Sequence, residues 1–193
     1  SCPSFKAAEW QGIPADGLQM IEKYKKERVL RPGELVHSQG DPCEGIYCVR
    51  SGLIGERRVD CDGRSVLVRL YHAGLSLGYR EVLSNSTCAN SVEALRESRV
   101  CFLGRSVINE LMDRYPVFCR EFLQRSISDC RQMEDELVEA KTLGVRYRFL
   151  HLLLEFYRRF GVHDAFRGHE LDIPLARQDL ASLLGTAPET ISR

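Results

Sequence analysis

The sequence predicts an α+β protein in which a β-roll of the jelly-roll type is followed by a long helix and a winged helix-turn-helix unit. Three observations predict this order. Short β-rich runs separated by glycine fill residues 29–103, one long amphipathic stretch covers residues 116–140, and two short helical runs joined by a glycine close the chain. We therefore divide the sequence into segments 1–115, 116–142 and 143–193.

The first segment has the pattern of antiparallel strands joined by tight turns. Residues such as valine, isoleucine and leucine dominate its β-rich runs, and an Asp-Gly turn at residues 60–63 marks a hairpin tip. Regular spacing of such strands is typical of a double-sheet jelly roll. Before them, residues 17–26 predict a short amphipathic helix that Trp10 packs against the roll. The predicted strands are 45–49, 53–59, 65–71 and 100–103.

The long stretch predicts a helix with one narrow apolar stripe. Leu123, Ile127, Cys130 and Leu137 recur at steps of three and four residues and are flanked by charged side chains. A stripe this narrow favours pairing with an identical helix, so we expect a homodimer. A helix packed only on its own domain remains the alternative.

The third segment begins with a strongly apolar helix at residues 145–161, after a linker at residues 141–144. Residues 161–170 are polar and predict a loop or hairpin, and residues 171–174 predict a short strand. The helix is expected to form the core of this domain through Phe149, Leu150, Leu153, Leu154 and Phe156.

A first short helix then carries Leu180, Ala181, Leu183 and Leu184 at helical spacing. Gly185 follows, at the position where a helix end favours a residue that adopts positive φ. Ala181 is small, which allows a second helix to pack closely across the first. This combination predicts a helix-turn-helix.

The second helix is predicted to begin with Thr186 as its cap and Pro188 in its first turn. Glu189, Ser192 and Arg193 then point outward. Such side chains can read base edges in a major groove, since arginine pairs with guanine and glutamate accepts from the cytosine amino group. A helical hairpin with no role in DNA binding is the alternative.

These residues carry a resemblance to a known family. The pattern E-x-x-S-R within residues 171–193 resembles the recognition region of the Crp-Fnr superfamily, in particular its Fnr branch of anaerobic, oxygen-responsive regulators. Upstream, R-P-G-E-L at 31–35, Q-G-D at 39–41 and R-S-G at 50–52 are similar to the opening of the family's β-roll sensor domain, which is like a cyclic nucleotide-binding domain. The resemblance spans nearly the whole chain.

The resemblance implies a DNA-binding transcription regulator that is not an enzyme. It implies that Glu189, Ser192 and Arg193 read the half-site TTGAT of a double-stranded DNA palindrome and that the long helix is the dimer interface. It also implies a contact of the roll with RNA polymerase, to which no residue is assigned.

The Fnr group holds an iron-sulfur cluster on three N-terminal cysteines and a fourth in the β-roll. The resemblance therefore implies Cys2 and Cys101 as ligands of a [4Fe-4S] cluster in the intact protein. Two further N-terminal ligands are absent from this sequence, which starts at Ser1 and ends inside a predicted helix. We expect a chain truncated at both ends, in which such a cluster is incomplete.

The other cysteines have less specific interpretations. The eight cysteines form no C-x-x-C pair, which argues against a self-contained zinc site. Those in predicted strands or helices (Cys48, Cys119 and Cys130) are expected to be packing residues. Those in turns would react only if their pKa were lowered, so a thiol-based redox sensor stays open. The cysteines in turns are Cys43, Cys61 and Cys88.

Cyclic nucleotide and haem are two other candidate ligands of the roll. A bound cyclic nucleotide needs an arginine for its phosphate, but the corresponding residues 88–91 contain none, and Arg80 is expected to be a solvated surface residue. Haem held by His37 or His72 is the alternative sensor. A cupin-like metal enzyme would need clustered histidines and carboxylates, which these two histidines do not provide.

Charge and hydropathy add two expectations. The 193 residues contain 27 basic and 27 acidic side chains, so the basic surface that phosphate contacts require is not visible in the net charge. No apolar run reaches membrane-spanning length and no signal peptide is recognised. We therefore expect a cytoplasmic protein without a membrane partner.

Overall fold

The computed structural model describes residues 10, 12–164, 168–171 and 173–191. Contacts within the chain divide it into two compact units, residues 1–129 and residues 130–193. Each unit is described by itself.

The first unit is built on eight antiparallel strands in two four-stranded sheets. The order is β1-β8-β3-β6 in one sheet and β2-β7-β4-β5 in the other. The predicted jelly-roll strands are confirmed, with small extensions at their ends. The strands are β1 Lys26–Leu30, β2 Leu35–His37, β3 Gly45–Ser51, β4 Leu53–Val59, β5 Ser65–His72, β6 Ser76–Leu77, β7 Ser91–Ala94 and β8 Ser98–Gly104.

Apolar side chains from both sheets form one core. In β5 the side chains of Leu67 and Tyr71 are buried while their sequence neighbours are less so, which is the period of two that a half-buried strand requires. Burial of these facing surfaces holds the two sheets together. The core residues are Leu30, Val36, Val49, Ile54, Tyr71, Leu77, Val92, Ala94 and Val100.

A second core joins the roll to the helices around it, α1 Ala15–Tyr24, α2 Tyr79–Ser84, α3 Arg105–Arg114 and the start of α4 Pro116–Thr142. Trp10 lies in this core, with its ring centroid 5.5 Å from that of Phe118 and 6.0 Å from that of Phe122. Helix α1 lies two residues earlier than predicted, because Lys26 already pairs with Phe102 as the first residue of β1.

The long helix α4 confirms the predicted helix, and its apolar stripe is exposed. Leu123, Ile127 and Leu137 are 60%, 46% and 55% exposed, and Cys130 is exposed as well. On another face, Phe118 and Phe122 are fully buried. The helix therefore has one face packed in the first unit and a neighbouring apolar face without a partner among the described residues.

The second unit contains α5 Val145–Phe160, a hairpin of β9 Gly161–Asp164 and β10 Gly168–Leu171, and the helices α6 Arg177–Leu183 and α7 Pro188–Ile191. The predicted loop or hairpin at residues 161–170 is thus a hairpin. The predicted strand at residues 171–174 is wrong at Ile173 and Pro174, whereas Leu171 ends β10 and Asp172 lies outside the described residues. Pairing with β9 places the strand at β10 instead, and Pro174 has no N–H to extend the ladder.

Gly52 offers a test of how tightly the roll is built. It adopts φ +96°, and a Cβ atom there would lie 2.1 Å from Ser98 Oγ and 2.5 Å from Glu97 O. Gly63 is the matched control, since it has φ +79° and no atom within 4 Å of the same position. We expect Gly63→Ala to lower the free energy of unfolding by about 1 kcal/mol through backbone strain alone. Gly52→Ala should cost about 3 kcal/mol because a steric clash is added.

Urea denaturation of the two variants beside the wild type measures this difference. Equal losses for Gly52→Ala and Gly63→Ala would contradict the close approach of the backbone at Gly52.

Candidate functional site

Helices α6 and α7 form the predicted helix-turn-helix. The turn begins at Gly185, which adopts φ +57° as predicted. Its N–H donates to the Ser182 carbonyl at 3.1 Å, and the Thr186 N–H donates to the Ala181 carbonyl at 3.0 Å. These two bonds are those of a Schellman motif, which satisfies the last carbonyl groups of α6 and reverses the chain.

The packing of this unit follows the prediction at Ala181 and departs from it at Thr186. Ala181 is 1% exposed and Leu184 is 4% exposed, so a small and a branched side chain fill the space beneath the turn. Thr186 was predicted to cap the second helix. Because α7 begins at Pro188, the preceding residue is Ala187, and Thr186 instead completes the turn.

Two residues that sequence reasoning missed hold α6 in place. The carboxylate of Asp179, which is 7% exposed, accepts from the Ala176 N–H at 3.0 Å and so satisfies a free donor at the start of α6. An acidic residue at the third helical position is the signal that could have found it. Arg148 on α5 donates from Nη1 to the Leu184 carbonyl at the other end of α6.

One of the three predicted base-reading residues lies in the described part of the chain. Glu189 is in the first turn of α7 and its side chain is exposed. Ser192 and Arg193 lie outside the described residues. The carboxylate of Glu189 is therefore accessible from the surface of the helix-turn-helix.

The roll contains a buried carboxylate, that of Glu56 on β4. Glu56 is 6% exposed and accepts from Tyr71 Oη and from Asn90 Nδ2, each at 2.8 Å. Burial, together with the nearby charge of Glu56, raises the pKa of Tyr71 well above its usual value. Tyr71 therefore remains a protonated donor at any physiological pH, and both oxygens of Glu56 are occupied within the chain.

Asp129 on α4 is a second buried carboxylate, and it is 4% exposed. It accepts from Tyr79 Oη, from Arg69 Nη1 at 2.7 Å and from Arg125 Nε at 3.1 Å. Burial opposes its ionisation, but the hydrogen bonds from Tyr79 and Arg69 and the charges of Arg69 and Arg125 outweigh this effect. They hold the pKa of Asp129 below its usual value, so the group is a carboxylate at neutral pH.

The prediction of a solvated Arg80 is wrong. Its side chain is half-buried, in the electrostatic environment of Tyr71, Glu56 and Arg69. Burial opposes its charge and Arg69 repels it, yet Tyr71 and Glu56 raise the pKa of Arg80 above the usual value. The guanidinium is therefore charged in the neighbourhood of the buried Glu56, a placement that no sequence spacing indicates.

Cys101, the predicted ligand in the roll, is 5% exposed and lies directly opposite Cys48 on the adjacent strands β8 and β3. Cys2 lies outside the described residues. Among the residues that the structure describes, no group of three or more histidine, cysteine or acidic side chains is arranged to hold a metal ion. The described part of the chain thus supplies one of the two predicted ligands and no complete ligand set.

A cavity of about 240 Å³ in the roll is lined in part by His37, Cys43, Tyr47 and Cys88. Both of these cysteines are buried rather than exposed in turns. Burial, with the neighbouring Cys43 thiol, raises the pKa of Cys88 to about 12. This is the opposite of the lowering that a reactive thiol needs, and Cys88 is a neutral thiol at physiological pH.

The two histidines considered for haem do not share a site. His37 lies on β2 and His72 on β5, which are opposite edges of the same sheet. His72 Nδ1 lies 3.0 Å from the Ala73 carbonyl oxygen. Of the two rings, that of His37 has a pKa lowered by burial and a buried Nδ1 without a hydrogen-bond partner among the described residues.

None of the described helices combines the length and the apolar character that crossing a bilayer requires.

Comparison with protein families gives two matches along the chain. Residues 27–115 match the cyclic nucleotide-binding domain, and residues 147–193 match the Crp-like helix-turn-helix domain. These matches cover the roll and the segment from α5 to α7.

Three similar proteins are regulators by name, and one of them is a transcriptional activator. The transcriptional activator protein anr of Pseudomonas aeruginosa is 28% identical over 175 residues, which cover 89% of this chain and 70% of the relative. The nitrogen fixation regulation protein FixK of Rhizobium meliloti is 27% identical over 180 residues, which cover 93% and 75%. The electron transport regulator A of Shewanella oneidensis is 22% identical over 175 residues, which cover 91% and 69%.

Solved structures confirm the predicted fold. FixK2 from Bradyrhizobium japonicum superposes with a TM-score of 0.76 at 24% identity, covering 88% of this chain and 81% of that one. The catabolite activator protein of Thermus thermophilus gives a TM-score of 0.59 at 23% identity, covering 97% and 84%. The architecture is therefore α+β, with a β-roll, a long helix and a Crp-like helix-turn-helix.

Proposed function

Because the chain belongs to the Crp-Fnr superfamily of DNA-binding transcription regulators, we propose that it binds a palindromic DNA site as a homodimer in response to oxygen or redox state. The observation that carries this proposal is the α6–α7 unit, with its tight turn at Gly185 and the exposed Glu189 beyond it. A ligand-dependent shift between two populations, rather than catalysis, is the mode of action. The proposed setting is the cytoplasm, with RNA polymerase as a further partner.

The proposed base-reading residues are Glu189, Ser192 and Arg193, on the half-site TTGAT. Glu189 is exposed at the start of α7, and Ser192 and Arg193 follow it by three and four residues, which is one helical turn. A helix that continues past Ile191 would carry all three on one side. Two such helices in a dimer match half-sites one DNA turn apart.

Arg193→Ala tests base reading. In the intact regulator we expect it to weaken binding to a TTGAT palindrome by about 1 to 3 kcal/mol, because a bidentate contact to a base is lost. Binding to a scrambled duplex should change little. Arg158→Ala, which removes an arginine that is paired with Glu155 on the surface of α5, is the matched control.

Fluorescence anisotropy at one fixed salt concentration measures both affinities. If Arg193→Ala weakens both duplexes equally, Arg193 contacts phosphate and not a base.

The proposed dimer interface is the exposed apolar stripe of α4. Contiguous apolar residues are uncommon on the surface of a monomer and mark a surface that another molecule covers. Their spacing of three and four residues is that of a helix which pairs with an identical helix. The stripe consists of Leu123, Ile127, Cys130 and Leu137, and the exposed side chains of Met133 and Val138 extend it.

Ile127→Glu tests the interface. An unpaired carboxylate at the centre of the stripe should weaken dimerisation by about 3 kcal/mol, which is more than a hundredfold in the dissociation constant. The control is Leu83→Glu, since Leu83 on α2 is 43% exposed but lies outside the stripe. Sedimentation equilibrium measures both constants, and equal effects of the two substitutions would rule out the stripe as the interface.

For the sensing cofactor we propose a [4Fe-4S] cluster in the intact protein, with Cys2 and Cys101 among its ligands. Thiolates are the ligands that such clusters require, and Cys101 is a strand residue of the roll. Because the described residues do not complete a ligand set, no step of the mechanism is derived through this group. Haem on His37 is the second candidate, favoured by the neutral ring and the unengaged Nδ1.

Cys101→Ser tests this assignment against Cys48→Ser, which alters the buried cysteine directly opposite. In intact protein purified without oxygen, we expect Cys101→Ser to lose most of its iron and acid-labile sulfide and Cys48→Ser to keep both. The same content in both variants would remove Cys101 from the ligand set. Iron without sulfide, together with the absorption spectrum of haem, would favour the His37 alternative.

A further inference from the structure

We propose that Asp129 is a positioning residue for the dimer. It fastens α4 to the roll at the point where the helix leaves it, and thereby sets how the apolar stripe of α4 is presented to a second copy of the chain. This inference rests on the proposed homodimer and names the contact that would regulate it.

Asp129 is the last of the buried residues along α4. Three residues of this helix are buried: Phe118, Phe122 and Asp129. The first two pack with Trp10 in an apolar core. Asp129 comes two turns later, and no residue of α4 after it is buried. The last buried side chain of the helix is therefore ionic, although the two earlier ones are apolar.

Asp129 accepts hydrogen bonds from three side chains, which belong to three different elements. Arg69 belongs to β5 and donates at 2.7 Å, and Tyr79 is the first residue of α2. Arg125, one turn earlier on α4, donates at 3.1 Å. Charged hydrogen bonds of this kind are directional, so they fix the rotation and the axial register of the helix. An apolar contact would tolerate sliding.

The donors of Asp129 also connect it to the roll interior. Arg69 on β5 lies directly opposite Glu56 on β4, and Glu56 accepts the hydrogen bond from Tyr71 described above. Gly78, next to Tyr79, lies with its carbonyl oxygen 3.6 Å from Cys43 Sγ at the wall of the cavity. A rearrangement of the roll interior would therefore move a donor of Asp129.

Asp129 lies between two residues of the apolar stripe along the sequence of α4. Ile127 and Cys130 lie two residues before it and one residue after it. Because successive residues of an α-helix are rotated by about 100°, Cys130 lies on the face beside Asp129. A change in the rotation of α4 at Asp129 thus changes which residues of the stripe face the partner helix.

The energetics also favour a role beyond stability. A buried ionic cluster adds little net stability compared with apolar side chains of similar volume, but removal of one partner leaves an uncompensated charge. A cluster of this kind is best suited to fixing one geometry, as buried polar groups do in helical dimers.

Asp129→Asn is the direct test, since it removes the charge and keeps the shape. Glu136→Gln is the matched control on the same helix, because Glu136 is exposed and accepts from Gln132 at 2.8 Å. The dimer dissociation constant is measured by sedimentation equilibrium. The emission of Trp10, the single tryptophan of the chain, reports on whether the start of α4 remains docked.

We expect Asp129→Asn to weaken the dimer by about tenfold with unchanged Trp10 emission, and Glu136→Gln to change neither. If Asp129→Asn does not fold, the paired substitution Arg69→Met with Asp129→Leu replaces the ions by apolar side chains. That variant should unfold at the wild-type urea concentration or above and still show the weakened dimer.

Two results would count against the inference in different ways. A dimeric wild type together with a paired variant that dimerises as tightly overturns the role of Asp129 and leaves the homodimer intact. A wild type that is monomeric at all concentrations overturns the homodimer itself.

Discussion

The stability of the roll depends on hydrogen-bond donors that pair with its buried carboxylates. Glu56 and Asp129 are carboxylates placed inside the first unit, and each is surrounded by hydrogen-bond donors from other elements. Left unpaired, either would cost several kcal/mol. Their pairing ties β4, β5, α2 and α4 to one another.

Buried groups also fix the geometry of the helix-turn-helix. Ala181 allows close approach, Gly185 reverses the chain, and Arg148 and Asp179 hold the two ends of α6. These contacts leave Glu189 free on the surface. The rigid part of the unit is thus made by backbone and buried groups, while the exposed side chains remain available for recognition.

Sequence reasoning succeeded where the determinant is local. Glycine at turns, alternation in strands and steps of three and four residues in helices located the strands of the roll, α4 and the turn at Gly185. It failed where the determinant is a contact between distant positions. Arg69 and Asp129 are 60 residues apart, and Arg148 and Leu184 are 36 apart. No periodicity links such pairs, which is why Arg80 was misplaced and Asp129 was overlooked.

Burial and protonation make the Cys88 thiol resistant to oxidation. A thiol with a pKa of about 12 is a poor nucleophile, and Cys43 beside it is buried as well. Peroxides that diffuse through a cell would therefore modify the exposed Cys61 long before they reached this pair. The buried cysteines of the roll can therefore remain reduced, and the packing around them intact, when oxidants are present.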